Sequence, residues 1–100
     1  MSDQVEFNRE EAIEAVLALE PQAEHEERTL EMVVRALTEE KHLLLAYTDA
    51  KGQTTMRVVD PRAVKRSKAG DLLMVVYDLS KNDWRSFRSD RIHAMRTVAP

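Results

Sequence analysis

The sequence predicts an α+β fold, with two N-terminal helices leading into a small curled antiparallel sheet or barrel. Three observations predict it. Apolar residues recur at helical spacing between Asn8 and His42. From Leu43 onward the chain changes to short apolar runs with alternation. Turn signals then punctuate it, at Asp49–Gly52, Asp60–Pro61, Ala69–Asp71 and Asp78–Asp83.

The elements follow in order. Residues 1–7 read as a lead-in. Asn8 is placed to cap a helix, with Glu11 three residues on as the returning half of a capping box. Phe7 and Ala12 occupy the staple positions. Ile13, Val16 and Leu17, extended by Leu19, give the first helix, about Arg9 to Leu19. Pro21 interrupts it and can open a second helix. From Gln22 to His42 good helix formers dominate, with an apolar stripe at Leu30, Val33, Val34 and Leu37. Glu24-His25-Glu26-Glu27 reads as a solvated acidic first turn, favourable at the positive end of the helix dipole. The two helices are expected to fold as a hairpin.

Leu43–Thr48 then reads as a buried strand. Asp49–Gly52 makes a hairpin turn, with Gly52 at positive φ. Gln53–Val59 is the returning strand, ended by Asp60-Pro61. Arg62–Lys68 reads as a separate strand, polar and basic, and so an exposed edge. Leu72–Leu79, apolar on both faces, reads as central. Trp84–Ser89 and a short His93–Val98 complete five or six strands. Residues 1–42 are thus an acidic helical lead-in and residues 43–100 the β-rich part of one compact unit.

Composition narrows the function classes. The chain has 100 residues, 43% hydrophobic and 33% charged, with no cysteine. That excludes a disulfide framework and thiolate metal sites, and fits the cytoplasm. Two glycines leave no Gly-rich phosphate loop. No apolar run is long enough for a bilayer, and no secretory signal is visible. The net charge of −3 conceals an asymmetry. Residues 1–50 hold 13 acids and 4 bases, whereas residues 51–100 hold 5 acids and 11 bases. The basic half suits an anionic partner, or the acidic half lies against it.

Four motifs in register resemble the WYL domain of bacterial regulators. They are LLLAYTDAKG, MRVVDP, LLMVVYD and DWRSFRSDRI, between Leu43 and Ile92, about half the chain. The helix over residues 22–42 matches the helix that leads into that domain. The eponymous Trp-Tyr-Leu is replaced here by Leu72-Leu73-Met74, which keeps the strand apolar without its aromatics. Most relatives carry a winged helix-turn-helix ahead of the domain. Here only acidic helices precede it, a poor phosphate-binding surface, so a sequence-specific DNA binder is not expected. The resemblance implies an SH3-like or Sm-like barrel that serves as a non-enzymatic effector sensor. Nucleotides and short single-stranded DNA are among that family's known or proposed ligands.

The candidate ligand-binding residues are Arg57, Tyr77, Trp84, Arg85, Arg88 and Arg91. Guanidinium forks match phosphate oxygens, and aromatic rings stack on bases. Strict alternation puts Arg85 and Arg88 on opposite faces, so a single clamp requires a bulge or turn to re-aim one. The bland alternative makes Tyr77, Trp84 and Phe87 core fillers and the arginines a solvated face. Asp90 is expected to pair with a neighbouring arginine. Arg62, Lys65, Arg66 and Lys68 form a second basic cluster, which can equally protect an edge strand. The histidines at 25, 42 and 93 show no metal-ligand spacing, and neither catalysis nor a cofactor is indicated. The leading expectation is a regulatory module that binds a nucleotide or short single-stranded nucleic acid and modulates transcription. The alternatives are a protein-interaction module, whose acidic helices dock a partner or mask the basic face, and a homodimer.

Overall fold

The computed structural model describes residues 7–100; the earlier part of the lead-in lies outside the described residues. Two helices precede five strands. These are α1 (Arg9–Leu17), α2 (Glu24–Glu39), β1 (His42–Thr48), β2 (Thr54–Arg66), β3 (Leu72–Asp78), β4 (Asp83–Arg88) and β5 (Ile92–Val98), with a 3-10 turn at Ser89–Arg91 between β4 and β5. The expected α+β class is the one observed.

Asn8 caps α1, its side-chain oxygen accepting from the Glu11 N–H at 3.0 Å. Only Val16 of α1 is fully buried, and Leu17 is 67% exposed. Pro21 lies in the linker and not in the helix. Ala23, with extended backbone, is the N-cap of α2. The second helix buries Thr29, Leu30, Val33, Ala36 and Leu37, a stripe of i, i+3 and i+4 positions. It ends where Glu40 takes left-handed backbone, at φ 55°, and Lys41 N–H bonds back to Ala36. Arg9 of α1 donates to the Leu37 carbonyl at 3.0 Å, so one helix satisfies the open end of the other.

The strands form one antiparallel sheet in the order β4-β3-β2-β1-β5. Gln53–Val59 and Arg62–Lys68, expected as two strands, are largely a single strand, β2. Its first half pairs with β1 and its second half with β3. The register shifts between Pro61 and Ala63. A bulge there accommodates a residue with no N–H, so proline bends the strand and does not end it. The basic segment pairs on one side only, Ala63 to Arg66 with Val75 to Leu72, because β1 reaches no further along β2 than Val59; its other side carries no strand among the described residues, as expected of an edge. The outermost strands are β4 and β5.

The sheet is not closed by hydrogen bonds, yet it is strongly curled. Tyr47 on β1 and Phe87 on β4 have ring centroids 4.4 Å apart. Three strand spacings in a flat sheet would separate them by about 14 Å. The concave face carries Leu43, Leu45, Val59, Val64, Leu72, Met74, Val76 and Phe87, which join the α2 stripe and Val16 in one core. Each fully buried Leu or Val contributes roughly 1.5–3 kcal/mol relative to exposure.

The acidic first turn of α2 is not wholly solvated. Glu26 is 6% exposed. It receives both prongs of Arg66, at 2.8 and 3.0 Å, and the Gln22 N–H at 2.8 Å. Arg66 also donates to the Glu20 and Gly70 carbonyls. One bidentate pair thus fastens the acidic half of the chain to the basic half. The Arg66 fork holds the Glu26 carboxyl below its ordinary range, against the opposing effect of burial.

Candidate functional site

The helices cover only part of the concave face. Beyond them, at the end bearing the β1–β2 and β3–β4 turns, the face is open. The β1–β2 turn is built by Asp49, whose carboxylate accepts from the N–H groups of Lys51 and Gln53, and by Gly52 at φ 84°. In the β3–β4 turn Asn82 takes the left-handed conformation, at φ 54°.

Alternation and register decide which side chains reach this end. Arg57 lies opposite Leu45 on β1, and Arg85 opposite Val76 on β3. Leu45 and Val76 are both fully buried, so the two arginines sit on the concave face, with Phe87 two residues beyond Arg85.

Asp78 organises them. It is 0% exposed and ends β3, where the sequence reading placed the end of a strand and the start of a turn but no buried role. Arg57 donates to its carboxylate at 2.7 Å, and the Ser80 N–H at 2.9 Å. The Arg85 Nε stands 3.7 Å from the same oxygen that Arg57 holds. Arg57 donates a further bond to Thr55 and lies 5.9 Å from the centroid of the Phe87 ring. One buried carboxylate thus gathers two guanidiniums, and one of them, Arg57, stands near a ring. The signal in the sequence was an acid placed in phase with the buried side chains of its strand: Leu72, Met74, Val76, Asp78.

Next to this group is an open depression of about 460 Å³. Arg85 and Arg91 line it together with Tyr47, Trp84 and Phe87. Trp84 is 58% exposed. Among the described residues Arg91 makes no ion pair, and Arg85 makes only the long contact to Asp78. Asp49 and Asp83 also reach the lining, but each directs a carboxylate oxygen at backbone N–H groups.

The other expected residues fall elsewhere. No bulge interrupts the β3–β4 pairing, so Arg88 points to the convex face. There it holds Asp90 at 2.7 and 3.0 Å and approaches Asp71 at 3.5 Å. The bond between them holds the Asp90 carboxyl below its usual range and raises the guanidinium's. Asp90 pairs with an arginine, as expected; Arg57, Arg85 and Arg91 come together, and Arg88 does not join them. Tyr77 is also convex, half-buried, and meets its cross-strand partner Trp84 edge-to-face at 5.4 Å, so the Trp84 ring lies on the convex face and only the edge of that residue borders the depression. Phe87, 3% exposed, is core on one side and floor of the depression on the other.

The second basic cluster is divided. Arg62 pairs with Asp60 at 2.8 Å and covers the Phe7 ring at 4.4 Å. Arg66 is tied to Glu26, while Lys65 and Lys68 are exposed. Among the described residues no group of three or more His, Cys, Asp or Glu side chains is arranged to hold a metal ion. No described helix is long and apolar enough to cross a membrane.

Fold and site together define a class: a small curled-sheet module with a cation- and aromatic-lined depression beside a buried acid–arginine pair. Comparison with known proteins makes this specific. The family model for the WYL domain matches residues 28–97, and the chain belongs to the WYL domain family. The match begins inside α2, the helix that packs on the sheet. WYL domains are in general regulatory, ligand-sensing, non-enzymatic modules of transcription regulators. Among solved structures, the chain is similar to proteasome accessory factor B/C (PafBC) of Arthrobacter aurescens, with a TM-score of 0.72 and 23% identity. The alignment covers 83% of this chain and 13% of that one. At that identity the likeness concerns the fold.

Proposed function

We propose that this chain senses a phosphate-bearing ligand, a nucleotide or a short single-stranded nucleic acid, and thereby modulates a transcription factor. Arg85 and Arg91 bind the phosphate, Arg57 supports Arg85 through Asp78, and Tyr47 and Phe87 offer the aromatic surface. The observation that carries this reading is the pair of guanidiniums, without short ion pairs of their own, beside Tyr47 and Phe87 around one depression. Its volume lies in the range of small-ligand sites. Guanidiniums and aromatic rings are what phosphates and bases require. No residue of α1 or α2 lines the depression, which supports an open site over one masked by the acidic helices.

Fluorescence polarisation with labelled mononucleotides and short oligonucleotides, at several salt concentrations, tests this. Binding should weaken steeply with salt. It should fall in Arg85→Ala and Arg91→Ala and persist in Arg88→Ala. No binding near physiological salt, or affinity indifferent to both Arg85 and Arg91, removes the proposal.

A further inference from the structure

A second concavity lies between the helices. It is an apolar groove of about 470 Å³, built by Val16, Leu17 and Leu19 from α1 and its linker and by Leu30 and Val34 from α2. It shares no residue with the depression. Leu17 is the most exposed large hydrophobic side chain among the described residues, at 67%, and it stands on the groove's edge. An α1 end that served only to cover α2 would gain nothing from leucine there. The cost of exposing it is offset if something covers it.

The charge around the groove identifies what covers it. On the α2 side the rim carries Glu31, Arg35 and Glu39, one turn apart, so two carboxylates flank one guanidinium. From Asn8 to Lys41 nine glutamates are exposed, against three exposed cations, Arg28, Arg35 and Lys41. The sheet does not use this charge: only Glu26, which is buried, pairs with it. Among the described residues Glu39 meets only the exposed Lys41, at 3.7 Å, and an apolar floor bounded by exposed carboxylates complements a helix with leucine-like side chains on one face and lysine or arginine on the flanks. From Leu30 to Glu39 the floor runs about 14 Å along α2, enough for two to three turns of such a helix.

We infer that the α1–α2 groove docks a basic amphipathic helix of a partner protein. This gives the module two separate faces, one for ligand and one for the protein it regulates. The inference stands on the groove and its charge, and does not depend on what occupies the depression.

The test uses the full chain and a fluorescein-labelled peptide about 14 residues long, with leucines at i, i+3, i+4 and i+7 and lysines elsewhere. Anisotropy should show saturable binding. Leu17→Glu and the double variant Glu31→Lys/Glu39→Lys should each weaken it roughly tenfold or more. All three positions are exposed, so circular dichroism should show both variants folded. Arg85→Ala should leave peptide binding unchanged. A peptide of the same composition with its leucines scattered round the helix should bind far more weakly. Equal binding of the scattered peptide would overturn the inference, because charge alone would then explain the affinity. Absent binding, or binding indifferent to the groove variants, would overturn it as well. So would a chain that sediments alone as a dimer dissociated by Leu17→Glu, which would assign the groove to a second copy.

Discussion

Asp78→Asn separates the structural part of the site from the part open to a ligand. The substitution preserves shape and removes one charge. The new side chain can still accept from the Ser80 N–H. Its other end then presents an amide donor, or a neutral oxygen, to the Arg57 nitrogen now held at 2.7 Å. Arg57 is 13% exposed and Asp78 0% exposed, so water reaches the broken pair poorly. Removing one member of such a buried pair costs about 3–5 kcal/mol. Arg57 keeps its bond to Thr55 and some contact with solvent, which places the expected loss at the lower end, about 3 kcal/mol. The Arg85 contact is long, and its side chain is 42% exposed, so it adds less than about 1 kcal/mol. For a chain of this size the melting temperature should fall on the order of 15 °C. Urea unfolding monitored by circular dichroism measures it, with Arg57→Met and the double variant closing the cycle. The double variant should cost about 2 kcal/mol less than the sum of the singles. Additive singles, or Asp78→Asn within about 0.5 kcal/mol of the parent, would refute the role given to this pair.

Three further outcomes follow from the geometry. Arg85→Ala and Arg91→Ala should each flatten the salt dependence of oligonucleotide binding by roughly 0.7 in log–log slope, the value for one phosphate contact on a single strand, while Arg88→Ala leaves the slope unchanged. Glu26 and Asp90 both have carboxyls depressed in the folded state, so their contributions are present above the unfolded carboxylate range and are lost as pH falls through the folded values. Glu26→Gln should therefore lower stability near neutral pH and flatten the loss of stability below about pH 4, read from urea midpoints across that range. Gly70→Ala should cost about 1–2 kcal/mol although nothing stands within 4 Å of the added methyl, because φ is 94° and the penalty lies in the backbone; Gly70→Asn should cost less, and equal unfolding midpoints for all three would contradict this.

The sequence made some features legible because their causes are local. Asn8, Gly52 and the change of period at Leu43 each act through a few neighbouring residues, and each appears where it was expected. The features it concealed depend on partners distant in the chain. Asp60-Pro61 signals the end of a strand in isolation, but β3 carries the pairing past it through a bulge. Glu26 looks like one acid among several until Arg66, forty residues on, is brought beside it. The WYL resemblance was carried by four motifs in register. The buried role of Asp78 lay within one of them and could have been read from its phase with Leu72, Met74 and Val76.

The arginines of the basic half show what such a charge imbalance means physically. Arg57, Arg62, Arg66 and Arg88 each have a carboxylate within 2.8 Å. Their charge is largely compensated within the chain, and substituting them disturbs the fold as well as any function. Arg85 and Arg91 are different, with no carboxylate that close among the described residues. A net charge of +6 over residues 51–100 therefore overstates the field available to a ligand. Arg85 and Arg91, the two that the proposed site uses, share one depression. Neutralising any one of the paired four should change stability before it changes affinity. Neutralising Arg85 or Arg91 should change affinity and leave the melting temperature nearly where it was, since neither is buried in a short ion pair. That separation is the strongest distinction between a solvated basic face and a binding site, and it requires no knowledge of the natural ligand.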